Sequence, residues 1–167
     1  MIVIREIELS DEKEFVRFEN RYKAECGNEL VPFSLNPRNL SYADFFAELV
    51  RLKDKATCPE GYVPATYYLM YHDGKIVGAI NLRRGDNESI LNRAGHIGYG
   101  VAPWERNKGY ATQGLKLCLN EARKAGFHRV LLTSDLDNAA SQRVIAKCGG
   151  IFERENDNKK LFWINLD

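Results

Sequence analysis

The sequence predicts an α/β protein in which one mixed central sheet carries helices on both faces. Short runs rich in β-branched and aromatic residues alternate with longer segments of helical periodicity. An Asp-Gly pair at residues 73–74 separates two of the short runs, as in a β-hairpin. The segments follow the order strand, two helices, three strands, helix, strand, helix and two strands, which gives about seven strands.

Size and charge narrow the classes of function. The 167 residues correspond to a single domain over residues 1–167. With 24 Lys and Arg residues against 23 Asp and Glu residues, the overall field is weak, so neither a nucleic acid nor a membrane is an expected partner. No stretch reaches the ~18 consecutive apolar residues of a membrane span, and the amino terminus does not resemble a secretory signal. We therefore expect a cytoplasmic protein.

The amino-terminal part predicts one strand, over residues 2–7, and two aromatic-rich helices. The first helix runs from Ser10 to about Gly27, capped by Ser10 or Asp11, and the second begins at Ser41. A loop over residues 28–39 contains two prolines. We expect the aromatic residues mainly in the core, with one or two at the rim of an acceptor pocket: Phe15, Phe18, Tyr22, Tyr42, Phe45 and Phe46.

The middle of the chain predicts three strands. Residues 65–71 and 76–82 are the two strands of the hairpin, and residues 85–92 are polar and predict a loop. A further strand is expected over residues 94–101.

The carboxyl-terminal part predicts two helices and three strands. A helix over residues 107–125 stops at Gly126, and the apolar run at residues 130–133 predicts a strand covered on both faces. A helix over residues 138–147 follows, then strands over 151–153 and 161–166. The last helix turns four side chains inward: Ala140, Val144, Ile145 and Cys148.

Cysteine and histidine spacing predicts neither disulfides nor a metal site. The four cysteines form no Cys-x-x-Cys pair, and those on the apolar helix stripes, Cys118 and Cys148, are expected to be buried thiols. His72, His96 and His128 lack the spacing of metal ligands.

The segment between the fourth strand and the next helix predicts a pyrophosphate-binding turn. The start of a helix leaves backbone amides unpaired and carries a partial positive charge, which suits a phosphate. Gly109 lets the main chain approach the ligand, and Arg106 and Lys108 add positive charge. The glycine fingerprints of dinucleotide-binding folds and of P-loop NTPases do not occur in the sequence.

Two motifs carry a family resemblance. Residues 106–111 spell R-x-x-G-x-A, and about thirty residues downstream Asn138-Ala139-Ala140-Ser141 is followed by Lys-Cys-Gly-Gly at 147–150. These motifs resemble the acetyl-CoA pyrophosphate motif and the later helix of the GNAT family of N-acetyltransferases. The chain looks most like the ribosomal-protein-acetylase-like branch and its uncharacterised relatives, most clearly over about residues 65–155.

The resemblance implies a mostly antiparallel sheet with a splay between strands 4 and 5, and acetyl-CoA as cosubstrate. Val101 would pair its backbone with the pantetheine amides, and Asn138 and Ser141 would face that arm. Gly98 and Gly100 suit the opening of such a gap. The pyrophosphate would be held by seven consecutive main-chain amides: those of Arg106, Asn107, Lys108, Gly109, Tyr110, Ala111 and Thr112.

Acetyl transfer to an amine requires a proton acceptor for the amine and a proton source for the departing thiolate. Many relatives use a tyrosine as that source, but Ile145 occupies its position here. Tyr99 or a water replaces it, or the thiolate leaves unassisted. His96 is the first candidate base, with a packing role as the alternative, because histidine ordinarily titrates near neutral pH. Glu25 and Glu88 are further candidates.

These observations predict an N-acetyltransferase that acts in a ternary complex on a small-molecule amine or a protein amino terminus, without a metal. Two alternatives stay open: a non-catalytic acyl-CoA-binding module, supported by Ile145, and a phosphate-binding protein unrelated to CoA. Arg83 and Arg84 either contact an acidic substrate group or are solvated. A homodimer paired through the last strands is a possible assembly.

Overall fold

A computed structural model describes residues 1–27 and 40–166, which form seven strands and four α-helices in the predicted order. The strands are β1 Val3–Glu6, β2 Ala65–His72, β3 Lys75–Arg83, β4 Ile97–Val101, β5 Arg129–Asp135, β6 Ile151–Glu155 and β7 Lys159–Asn165. The α-helices are α1 Glu12–Cys26, α2 Tyr42–Lys53, α3 Tyr110–Lys124 and α4 Ala139–Lys147. The predicted loop at residues 28–39 lies outside the described residues.

The strands form two antiparallel sheets rather than one continuous sheet. Strands β1, β2, β3 and β4 pair in that order, and β5, β7 and β6 form the second sheet. No ladder joins β4 to β5 within the described parts of the chain. The predicted mostly antiparallel arrangement of about seven strands is confirmed, and the break lies between the fourth and fifth strands.

Helices cover both faces of the first sheet, as predicted. Alternation along β2 sends Tyr67 and Leu69 into a cluster beneath α1 and α2, whereas Tyr68 and Met70 join a second cluster beneath α3 and α4. At Gly114 the backbone of α3 packs so closely on β2 that a Cβ atom would collide with the Sδ atom of Met70. Five of the six predicted core aromatics are buried and Phe46 is partly buried.

Local signals placed several element boundaries correctly. The β2–β3 turn has positive φ at both Asp73 (48°) and Gly74 (73°), the backbone of a tight two-residue hairpin. The Ser41 side chain caps α2 by accepting the Asp44 N–H at 3.2 Å. The chain leaves α3 through Gly126, where φ is 88°.

The predicted N-cap of α1 is confirmed in position but not in its side-chain bond. Asp11 is the N-cap residue, but its side chain does not bond to an amide of the helix, and Ser10 lies one residue earlier in a short 3₁₀ turn, Leu9–Asp11. The Asp11 carboxylate instead accepts the N–H of Glu8 at 2.8 Å and the Arg5 guanidinium at 2.9 Å, and the Ser10 hydroxyl bonds to Glu8.

Three predicted boundaries near the fourth strand are also wrong. The predicted polar loop contains the start of a π-type helical turn, Ile90–Ala94, closed by the Gly95 N–H on the Ile90 carbonyl at 2.9 Å. Because this turn occupies residue 94, β4 begins later, at Ile97. Helix α3 begins at Tyr110 rather than Asn107, because residue 107 adopts a left-handed conformation.

Two side-chain placements also differ from the prediction. Ala140 is exposed rather than inward. All four cysteines are free thiols, but only Cys118 is buried, while Cys148 and the others are partly exposed. No described helix is both long enough and apolar enough to cross a membrane.

Candidate active site

A cleft of about 750 Å³ opens where β4 and β5 part. One wall is β4 from Ile97 to Val101, and the opposite wall is the end of β5, residues 133–135. The turn before α3 and one side of α4, which includes Ala140, also line the cleft. The rest of the described lining comes from Arg83, Ser89, Arg93, Ala94 and Lys159. The cleft therefore connects the parted strands to the predicted pyrophosphate-binding turn.

The two strands meet at one end of the cleft, around Gly95 and His96. The His96 N–H donates to the Leu131 carbonyl at 2.7 Å, and the Leu131 N–H donates to Nδ1 of the His96 ring at 2.8 Å. Gly95 has a φ of 68°, and a Cβ there would lie 2.7 Å from the Leu131 oxygen. Glycine is required at residue 95 for this approach. We call this junction the apex.

Beyond the apex, β4 presents an unpaired backbone edge to the cleft. On its other edge, the Arg83 N–H donates to the His96 carbonyl at 2.7 Å and the Ala102 N–H donates to the Val77 carbonyl at 2.9 Å. Bonding alternates along an antiparallel strand, so the polar backbone groups of residues 97, 99 and 101 point away from β3. Val101 thus lies on an edge that can pair with an extended amide chain.

The turn before α3 offers uncapped backbone amides to the same cleft. Positive φ values at Asn107 (61°) and Gly109 (76°) curve the chain into the helix, and no side chain caps its start. The first intrahelical bond runs from the Gln113 N–H to the Gly109 carbonyl at 3.1 Å. The preceding amides, which line the cleft with Asn107 and Gly109, have no acceptor within the helix: those of Tyr110, Ala111 and Thr112.

The two basic residues of this turn differ in position. Arg106 is exposed and lines the cleft. Lys108 is also exposed, but its ammonium lies 2.8 Å from the Glu105 carboxylate, whose hydrogen bond raises the lysine pKa. Lys108 is not among the described residues that line the cleft, so the structure does not support the added charge predicted from its side chain.

Tyr99 and Ser141 meet across the cleft. Their hydroxyl oxygens are 2.9 Å apart, and both residues line the cavity. Burial raises the pKa of Tyr99 to about 12, although the bond to Ser141 opposes that shift. Tyr99 is therefore protonated at neutral pH and is a proton donor rather than a base. Asn138 accepts the Ser141 N–H through Oδ1 at 3.0 Å, which leaves its Nδ2 group to donate to a ligand.

His96 is placed away from the cleft lining. Only 2% of the residue is exposed. Because Nδ1 accepts the Leu131 N–H, the ring proton is on Nε2, which lies 2.8 Å from Oδ1 of Asp86. The ring also packs against Phe127, with centroids 5.2 Å apart. This placement does not support the prediction that His96 accepts the amine proton.

The other sequence candidates for proton transfer also lie elsewhere. Glu25 pairs with Arg21 at 2.7 Å, and neither Glu25 nor Glu88 is among the described residues that line the cleft. Ile145 is fully buried, and a Cβ on Gly150 would collide with it, so it is a core residue. Ser141 is one helical turn earlier on the same face of α4. The hydroxyl group of Ser141, paired with that of Tyr99, therefore lies on the same side of α4 as the family's tyrosine position.

The aromatic residues predicted for the core and for the rim of an acceptor pocket lie outside the described lining of the cleft. Trp104 packs on Phe18, with ring centroids 5.7 Å apart. The Arg21 guanidinium covers the Trp104 ring at 4.1 Å. Across residues 1–27 and 40–166, no group of three or more His, Cys, Asp or Glu side chains is arranged to hold a metal ion.

The profile of the Acetyltransferase (GNAT) family matches residues 34–150, and the chain therefore belongs to this family. It is an acyltransferase, and enzymes of the family use acetyl-CoA as cosubstrate. The resemblance predicted from the two sequence motifs is confirmed. A comparison with curated protein sequences gave no significant match.

Solved structures share the fold at low sequence identity. Mycobacterium smegmatis RimJ in complex with CoA-disulfide superposes with a TM-score of 0.70 at 21% identity, over 98% of this chain and 81% of that one. The Vibrio fischeri ribosomal-protein-S5-alanine acetyltransferase gives 0.73 at 19% identity, over 99% and 93%. The Vibrio cholerae spermidine N-acetyltransferase in complex with CoA and spermine gives 0.66 at 15%, over 99% and 95%.

Proposed function

We propose that the cleft binds acetyl-CoA and that the acetyl group passes directly to a primary amine within a ternary complex. The observation that carries the proposal is the continuity of two features: the unpaired edge of β4 at Val101 and the uncapped start of α3 line one cavity. The diphosphate occupies the start of α3, and the pantetheine arm lies along β4. The RimJ and spermidine N-acetyltransferase structures, which share the fold, contain CoA-disulfide and CoA.

The proposed reaction is a single displacement at the acetyl carbon. The lone pair of a neutral amine attacks the thioester carbonyl, so a C–N bond forms and the C–S bond then breaks. Nitrogen loses one proton and sulfur gains one, which yields an acetamide and CoA thiol. A backbone N–H on the open edge of β4 donates to the carbonyl oxygen while negative charge develops there.

Tyr99 supplies the proton to the departing sulfur in this proposal, and its phenolate then regains a proton from water, which has received the proton lost by nitrogen. Its hydroxyl is protonated over the working pH range because its pKa is raised to about 12. Ser141, with its hydroxyl oxygen 2.9 Å from that of Tyr99, holds the phenol in place. The pair takes the role that a helix tyrosine has in many relatives, at the position that Ile145 occupies here.

The amine loses its proton to water rather than to a side chain. Only two carboxylates line the described part of the cleft, and each is paired with a lysine: Glu105 with Lys108 at 2.8 Å and Asp135 with Lys159 at 2.5 Å. Each of these carboxylates is therefore already held by an ammonium group.

The acceptor is the primary amine of a small molecule or of a protein amino terminus. The Vibrio fischeri and Vibrio cholerae proteins are named for a ribosomal-protein alanine and for spermidine, so the fold serves both kinds of amine. A net charge of +1 gives this chain no general attraction for a polycation or a polyanion.

The experiment is to measure thiol release from acetyl-CoA with a panel of amines, using wild type, Tyr99→Phe and Tyr68→Phe. We expect amine-dependent release, with kcat about 10- to 100-fold lower in Tyr99→Phe because the thiolate then leaves unaided. Tyr68→Phe is the matched control: burial also raises the pKa of Tyr68 to about 12, but this residue does not line the cleft. CoA binding without thiol release for any amine would favour the non-catalytic binding module.

A further inference from the structure

The side chain of Arg83 lies against β4 near the apex of the cleft. It is the last residue of β3, and its Nη1 atom donates to the carbonyls of Ala94 and Gly95, each at 3.1 Å. Its Nη2 atom lies 3.2 Å from the position that a Cβ of Gly98 would take. The guanidinium therefore covers Gly98 near the apex, and Arg83 lines the cleft.

This guanidinium has no carboxylate among its described partners. Burial lowers the pKa of Arg83, and no acidic group opposes that shift. Arg5 shows the contrast, because its hydrogen bond to Asp11 raises its pKa despite partial burial. The two carbonyls use the donors of Nη1, so Nη2 and Nε of Arg83 retain N–H donors in a fork that matches a carboxylate.

Arg83 lies on the face of β4 from which an amine can approach. The side chains of Ile97 and Tyr99 pack into the cluster beneath α3 and α4. Alternation puts Gly98 on the opposite face, with Asn81, whose Oδ1 accepts the Gly98 N–H at 3.1 Å. Because residue 98 has no side chain, the Arg83 guanidinium packs directly over the β4 backbone on that face.

The two charged residues that line this end of the described cleft are arginines, and the Asp86 carboxylate near the apex is hydrogen-bonded to His96. Arg93 and Ser89, both exposed, line the cleft with Arg83. The two lining carboxylates, Glu105 and Asp135, are the ones already paired with lysines. The two arginines can therefore attract an anionic group of the acceptor.

We propose that Arg83 binds a carboxylate of the acceptor, so the substrates are primary amines with a carboxylate close to the amino group. This inference rests on the proposed function. Two sources provide that chemistry: the α-carboxylate of a free amino acid, and an acidic side chain next to a peptide amino terminus. Arg83 selects the acceptor and takes no part in proton transfer.

The test compares acceptors with and without the carboxylate. One pair is alanine and alaninamide, and the other is alanylglutamate amide and alanylglutamine amide, so the two sources are distinguished. Because a neighbouring carboxylate also raises the pKa of the amine, the measured quantity is the ratio, within each pair, of kcat/KM calculated for the neutral amine. We expect the acid to exceed its amide by about 10- to 100-fold in at least one pair, chiefly through KM.

Arg83→Met should reduce that ratio to near one, and Arg83→Lys should retain part of it. Arg84→Met is the matched control, because Arg84 bonds to Thr66 and the Lys53 carbonyl and does not line the cleft. If a variant is partly unfolded, kcat/KM falls by the same factor for both substrates of a pair. The ratio is therefore unaffected by any loss of stability.

An unchanged ratio in Arg83→Met, or acetylation of neutral amines with no preference for a carboxylate, would overturn the inference and leave the proposed function standing. If no amine is acetylated, the proposed function fails. The Arg83 site is then judged by calorimetry of the same pairs on the CoA-bound protein. There, preferential binding of the acid that Arg83→Met abolishes supports the site, and equal binding refutes it.

Discussion

His96 and Leu131 are joined by two hydrogen bonds, one from the backbone and one from the side chain of the histidine. The Leu131 carbonyl accepts the His96 N–H at 2.7 Å, and the Leu131 N–H donates to the His96 ring at 2.8 Å. His96 thus forms hydrogen bonds with both the N–H and the carbonyl of Leu131, at the point where the two sheets meet. The apex is closed there, and the cleft opens beyond it.

Replacing His96 with alanine should lower the free energy of unfolding by roughly 1–3 kcal/mol, because it leaves the buried Leu131 N–H without an acceptor. Urea denaturation measures the loss. His96→Gln, whose side-chain oxygen can accept the same N–H, should recover part of it. The pH dependence of kcat/KM in His96→Ala should keep its wild-type shape, and loss of an inflection near neutral pH would restore His96 as the base.

The pH dependence of kcat/KM should follow the pKa of the acceptor amine rather than the pKa of a protein side chain. Without a protein base, kcat/KM rises with pH until the free amine predominates, so the inflection moves from about 8 for an α-amino group to about 10 for a lysine-type amine. Tyr99, with a pKa of about 12, is protonated throughout that range. An inflection at one pH shared by both amines would reveal a titrating protein base.

Gly109→Ala should weaken CoA binding by at least about 10-fold, because a left-handed alanine costs roughly 1–2 kcal/mol and the turn would relax away from the diphosphate. Gly126→Ala is the matched control. Its φ of 88° imposes similar strain to the 76° of Gly109, but it is outside the cleft lining. Calorimetry should show CoA affinity unchanged in Gly126→Ala, and equal weakening in both variants would argue against the diphosphate site.

Asp11→Asn should destabilise the protein at neutral pH and cost less in acid. Burial alone would raise the pKa of Asp11, but hydrogen bonds from Arg5, the Glu8 N–H and Tyr71 together lower it. Because the pKa is lowered in the folded state, the carboxylate stabilises the fold fully at pH values above its unfolded-state pKa of about 4. This contribution is lost as the pH falls further. The expected difference from wild type is about 1–3 kcal/mol at pH 7, shrinking below about pH 4. A difference independent of pH would contradict the role of the charge.

Features governed by neighbouring residues were predictable from the sequence. The Asp73-Gly74 turn, the Ser41 cap and the Gly126 stop each depend on one or two residues, and the structure has all three. Helical periodicity predicts that α3 starts at Asn107, three residues early, because periodicity does not show that residues 107 and 109 are left-handed.

Features that depend on contacts between distant segments were not predictable. The direction of the His96 ring depends on Leu131, 35 residues away in sequence. The Tyr99–Ser141 contact depends on how α4 packs against β4. Arg83 and Arg84 are adjacent and chemically identical, and only strand alternation and pairing place one of them in the cleft.

A crystal structure of the protein with CoA tests the proposed acetyl-CoA site most directly. We expect the diphosphate on the amides of residues 109–112 and the pantetheine arm between β4 and β5, with an amide of the arm about 2.9 Å from the backbone of Val101. CoA held elsewhere on the surface, or a β4–β5 gap closed by backbone pairing beyond the apex, would contradict that proposal.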